Sequence, residues 1–141
     1  MHNTMKWLPV MAVCALMSCQ EAAAPSLTPQ QTLQAFSDAV RKGDSPTAFR
    51  LLSKDTRAHA EQRATEISTA SGGMIKSEPM AMMSQTGFKT AAEFTIKAVE
   101  STELVSVLEV TRETGVERVR LIKEEGRWVL DLSSLFSERA P

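Results

Sequence analysis

No tyrosine occurs in the chain, so no phenol is available as an acid or as an oxyanion donor. Cysteine is confined to Cys14 and Cys19, and histidine to His2 and His59. With both thiols in the first 19 residues, a disulfide framework cannot hold the remainder together, and the fold has to stand on its hydrophobic core. Neither sign of charge is in large excess: the formal charge is -1 and the pI about 6.1, which leaves no global basic field for nucleic acid or anionic lipid. Phosphate-binding Gly-rich loops, nucleophile elbows and clustered metal-ligand motifs are all missing. A long apolar run is missing too. Trp7 to Met17 spans 11 residues, broken by Pro9, against the roughly 20 that a helix needs to cross a bilayer.

What is present begins with an export signal. Lys6 and the amino terminus supply positive charge ahead of the short apolar run. The run ends in Leu16-Met17-Ser18-Cys19, which resembles the bacterial lipobox, although Met17 is bulkier than its usual occupant. The resemblance implies a diacylglycerol thioether on Cys19, cleavage just before it, and acylation of the new amino group. Two or three acyl chains on one residue, each buried methylene contributing ~0.8 kcal/mol, make release from a membrane very slow. Residues 1–18 are then a signal peptide. Their loss takes away Lys6 and no acid, moving the formal charge to -2. Residues 19–27 read as the lipidated cysteine and a tether whose stretch from Gln20 to Leu27 reaches about 28 Å when extended. In two-membrane bacteria of the lipobox pattern an aspartate after the cysteine favours inner-membrane retention; Gln20 is not one, so the resemblance implies the outer membrane with the domain facing the periplasm, while in a single-membrane host the same anchor would leave the domain outside the cell.

Residues 28–137 read as one α+β domain. Thr28, Pro29 and Gln31 form a helix start with a capping box, Leu33, Phe36 and Val40 make one apolar stripe, and Gly43 ends the helix. Asp44 or Ser45 with Pro46 opens a short second helix in which Phe49 and Leu52 face one way. A third is expected from about Asp55 to Ala70 with Ala60, Ala64 and Ile67 inward, stopped by Gly72-Gly73, and one more turn over Pro79 to Ser84. From Ala91 onward the period changes to two. Ala92, Phe94, Ile96 and Ala98 alternate with polar residues, Leu104 to Val110 is apolar enough to be central, and Val119 and Leu121 face in while Arg118 and Arg120 face out. After the turn Glu124-Glu125-Gly126, Trp128, Leu130 and Leu132 share one side, with Trp128 and Phe36 expected in the core. The pattern predicts N-terminal helices on a curved antiparallel sheet of about four strands.

Thr28-Pro-Gln-Gln-Thr-Leu-Gln-Ala-Phe36, Ala39-Val-Arg-Lys-Gly-Asp44 and Ala48-Phe-Arg-Leu-Leu-Ser53 resemble the opening helices of nuclear transport factor 2-like domains, and Glu124-Glu-Gly-Arg-Trp-Val-Leu-Asp-Leu132 resembles their last hairpin. The similarity covers most of residues 28–135, and its motifs are mainly structural. It implies a cone-shaped α+β fold with a pocket between helices and sheet, an architecture that hosts isomerases, dehydratases, hydrolases and non-enzymatic binders. Phe36, Phe49, Met80, Met83, Phe94 and Trp128 are the expected pocket lining.

Catalytic chemistry finds little support. A ketosteroid-isomerase type of site needs a pocket carboxylate and a tyrosine. Asp38, Glu93 and Asp131 could supply the carboxylate, yet pattern puts all three on polar faces, and the tyrosine does not exist. His59, in Arg57-Ala-His-Ala-Glu61, has no second histidine or cysteine near it for a metal site and reads as exposed helix surface. Met80-Ala-Met-Met83 with Met74 offers soft ligands for Cu(I), but such methionines more often fill irregular gaps, and a pocket lid or core edge is the expectation. No cofactor or metal is expected. The reading that results is a membrane-anchored, non-catalytic binding or accessory module whose partners are the membrane and a small apolar ligand or an envelope protein, not nucleic acid. Two alternatives stay open: an enzyme acting on a small apolar molecule, and a structural partner in an envelope assembly through the sheet face.

Overall fold

The computed structural model describes residues 26–76, 78–81 and 94–137. Helix α1 (Pro29–Lys42) starts where local chemistry tells it to: Thr28 Oγ1 accepts from the Gln31 amide at 3.3 Å, and Gln31 Oε1 accepts from the Thr28 amide at 2.9 Å. Arg41 and Lys42 sit in the last turn, where the helix dipole favours cations, and Gly43 closes the helix at φ 72°. Helix α2 (Ser45–Arg50) is capped by Asp44, whose carboxylate accepts from the Thr47 amide at 3.1 Å. Those hydrogen bonds from Thr47 hold the Asp44 carboxyl below its ordinary pKa. Helix α3 (Lys54–Ala70) is capped by Ser53, and its inward face carries Thr56, Ala60 and Ala64.

Leu52 departs from the expected helical position beside Phe49. Helix α2 ends at Arg50, and Leu52 forms a parallel bridge with Leu130. The amide of Leu130 donates to the Leu51 carbonyl at 2.8 Å and its carbonyl accepts from the Ser53 amide at 2.7 Å, so these groups serve a sheet rather than a further helical turn.

Strands β1 (Thr95–Ser101), β2 (Val105–Arg112), β3 (Gly115–Glu124) and β4 (Arg127–Asp131) form one open sheet in the order β1-β2-β3-β4, antiparallel throughout. A short helix, α4 (Ser134–Ser137), comes after them. This is the α+β class with four strands. The register steps between Ala98 and Glu100, leaving Val99 in a bulge on β1. The turn into β4 is tight: Glu124 pairs with Arg127, and Glu125 and Gly126 between them both have positive φ, 49° and 78°.

The core lies between the helices and one face of the sheet. Leu33 and Phe36 from α1, Ala48, Leu52 and Ala60 meet Leu108, Val110, Val119, Leu121, Leu130 and Leu132. One polar tie crosses it. Thr56 Oγ1 accepts from the Leu132 amide at 2.9 Å and bonds the Ser53 hydroxyl at 2.8 Å, and all three residues are buried. Helix α1 contacts β4 and β2, and α3 contacts β4. Ala98 on β1, in phase with the inward residues, is consequently exposed. Trp128 corrects a second expectation: it is half-buried at the edge of the core, with Lys123 Nζ 5.8 Å from its ring centroid, rather than enclosed within it. Leu104, expected in the central strand, lies in the turn before it and is exposed. Of the turn expected over residues 79–84, residues 79–81 are helical and the rest lies outside the described residues, as do Ala92 and Glu93 of the expected first strand.

Candidate binding face

The cross-strand register arranges the inward face of the sheet in rows. Leu108 and Val119 face each other, with Ala98 beside Leu108. One step along lie Ser106, Leu121 and Leu130, and beyond them Lys123 and Trp128. In the opposite direction come Ile96, Val110 and Glu117, and then Arg112 opposite Gly115 at the end of the β2–β3 hairpin, with Phe94 just before β1 packing on the core.

Arg112 and Glu117 are therefore on the apolar face, two residues beyond Val110 and two before Val119. Their side chains form an ion pair through Arg112 Nη1 and Glu117 Oε2. The Arg112 side chain is only 10% exposed and that of Glu117 36%. An ion pair withdrawn from water contributes little net stability, because desolvation offsets the attraction, and apolar side chains of the same volume often serve the fold better. What the pair does provide is a fixed charge at low dielectric, where its effect on a third group is stronger than in water. Ile96 and Phe94, both partly buried against the core, are the apolar neighbours on the β1 side. Gly115 adds no side chain opposite Arg112, and a Cβ built there would meet nothing within 4 Å.

The six expected lining residues do not share one place. Phe36 is fully buried within the core. Phe49, Met80, Phe94 and Trp128 are partly buried around its margin. Phe94 and Trp128 stand at opposite corners, about 27 Å apart along the strands and about 14 Å across them, from eight residue steps and three strand spacings. Met83 lies outside the described residues.

The polar candidates point elsewhere. Asp38 is on the outer side of α1, paired with Arg41 and accepting from Gln34. Asp131 belongs to the outward face of the sheet, where Arg120 reaches it at 2.9 Å and the Ser133 hydroxyl donates to it at 2.7 Å. His59 is exposed and stacks on Phe136 with ring centroids 6.1 Å apart. Met74 is 88% exposed, far from any role in the core. Glu93 lies outside the described residues. Among the described residues, no three histidine, cysteine or acidic side chains converge as metal ligands, and no helix is long and apolar enough to cross a membrane.

Sequence reasoning passes over Arg112 and Glu117, although the signal is there. If Val119 and Leu121 face in, strand alternation turns Glu117 in as well, and Leu108 and Val110 do the same for Arg112. No family model, curated protein or solved structure matches the chain.

Proposed function

We propose that the chain is a membrane-tethered binding module of the cell envelope, held by lipid on Cys19 and receiving a small molecule at the hairpin end of the inward sheet face. The observation that carries this reading is the Arg112–Glu117 pair on a face that is otherwise the core side of the sheet. A purely structural face gains little from such a pair, whereas a recognition site needs a fixed polar group among apolar neighbours. The helices laid on one face of an antiparallel sheet agree with the nuclear transport factor 2-like resemblance, and the cone is part of the proposal. An enzyme of ketosteroid-isomerase type is less well supported, since Asp38 is paired with Arg41 on the outer side of α1, Asp131 is held by Arg120 and Ser133 on the sheet face away from the core, and Glu117 is engaged with Arg112. The Leu16-Met17-Ser18-Cys19 motif supports the anchor, and Gln20 supports an outer-membrane destination with the domain in the periplasm.

Native mass spectrometry of the protein extracted from its own membranes in mild detergent tests the module. The expected result is a discrete added mass that is lost on denaturation and absent from Arg112→Met. Bare protein in every preparation would overturn the reading.

A further inference from the structure

We propose that the open edge of β1 is a two-fold contact with a second copy of this chain, the two β1 strands running antiparallel so that the two sheets join into one. The edges of the sheet differ. Beyond β4, the Leu130 amide donates to the Leu51 carbonyl and the Leu130 carbonyl accepts from the Ser53 amide, so that edge is paired. Among the described residues no strand pairs with β1 on the side away from β2, and every residue of β1 except Ile96 is exposed. An edge strand directs alternate amides and carbonyls outward, a template for another strand. Ala98 is exposed although it is in phase with the core, so the helical layer does not overhang β1 there and leaves room for a second chain.

Charge complementarity selects a second copy as the occupant. Lys97 stands beside Glu109 and Glu100 beside Val107, so both lie on the outward face of the sheet. Residues three apart in a regular strand face opposite sides; the bulge at Val99 is what brings these two to one side. Among the described residues neither Lys97 nor Glu100 makes an ion pair within the chain. A two-fold axis perpendicular to the sheet preserves its faces. Passing level with the bond between Ala98 and Val99, it sets Lys97 of each copy opposite Glu100 of the other, twice over. Val99, 42% exposed, then comes opposite Ala98. Other registers lose this match: centred on Lys97 or on Glu100 the axis opposes like charges, and centred on Ala98 it sets Lys97 against Val99 and Glu100 against Ile96. Opposite charges directly across two strands attract and like charges destabilise the pair, and a self-complementary patch is what an isologous contact requires.

This contact uses the β1 edge and leaves the inward face untouched, so it stands or falls separately from the binding of a small molecule. Sedimentation velocity of the full chain in detergent micelles, over a concentration series, tests it with Lys97→Glu, Glu100→Lys and the double reversal. Wild type should dimerise. Each single reversal should raise the dimer dissociation constant at least about tenfold, because the two-fold turns two attractions into two repulsions. The double reversal should restore wild-type dimerisation, a result that loss of folding or a contact using only one of the residues would not give. Both side chains are exposed, so the variants should keep the wild-type circular dichroism spectrum. A chain that stays monomeric throughout, leaving the edge to an extended segment of another protein, would overturn the second copy. A dimer indifferent to the single reversals, or not restored by the double one, would overturn the β1 contact.

Discussion

Replacing Thr56 with valine should be among the most damaging changes available without altering the shape of the core. Its hydroxyl accepts from the buried Leu132 amide at 2.9 Å and bonds Ser53 Oγ at 2.8 Å, joining the start of α3 to the end of β4. Valine fills nearly the same volume and has nearly the same helix propensity as threonine, so the change isolates the oxygen. The Leu132 amide loses its acceptor, which costs about 1–3 kcal/mol for a buried donor, and one hydroxyl–hydroxyl bond of about 1 kcal/mol goes with it. Ser53 Oγ keeps its bond from the Thr56 amide at 3.1 Å. The expected loss is therefore ~2–4 kcal/mol, or a fall of roughly 1.3–2.7 M in urea midpoint for a slope near 1.5 kcal/mol/M. Thr56→Ser, which keeps the oxygen and removes one methyl group, should cost only about 1 kcal/mol. Urea unfolding followed by far-UV circular dichroism measures both. A Thr56→Val midpoint within about 0.3 M of wild type, or a serine variant less stable than the valine one, would refute the assignment of the tie to the hydroxyl.

Other perturbations separate the remaining elements. Glu125→Asn should stabilise the protein by about 0.5–1 kcal/mol, because Glu125 holds φ 49° in a two-residue turn that asparagine tolerates better, and a thermal melt reads the gain. Asp44 has its carboxyl pKa depressed by hydrogen bonds from Thr47, so its charge stabilises the fold above the ordinary carboxylate range and that contribution is lost as pH falls through the lowered value. Asp44→Asn should then melt below wild type at pH 7 and converge with it on acidification below about pH 4, a convergence that melts across pH would check. Phe36→Ala should cost ~3–5 kcal/mol and Trp128→Ala clearly less, since only Phe36 is fully enclosed, and paired urea titrations should preserve that order.

Local chemistry makes α1 readable in full. Thr28, Pro29, Gln31 and Gly43 fix both ends without reference to the remaining chain, and the glycine turns at Gly115 and Gly126 delimit the hairpins in the same way. Leu52 is not readable as a bridge because the group that claims its neighbours, Leu130, is remote in sequence and adjacent only after folding. Periodicity tells which side Trp128 faces but not how near the edge of the helical layer it stands, and the same limit explains the exposure of Ala98. The corner of Arg112 and Glu117 illustrates a different kind of miss. Strand phase turns Arg112 and Glu117 inward, but charge on a strand ordinarily signals solvent, and the ion pair between them, which helps both tolerate the apolar face, forms only on folding. The dispersed aromatics show the converse: composition identifies apolar side chains, while register decides which of them can ever meet.

A membrane-tethered module requires lipid on Cys19, and the amino-terminal peptide of the membrane-extracted protein tests that most directly. Protease digestion followed by mass spectrometry should give a peptide beginning at Cys19, carrying a diacylglycerol thioether, with residues 1–18 gone. An unmodified Cys19, or a peptide that runs continuously from residue 18 into residue 20, would contradict it.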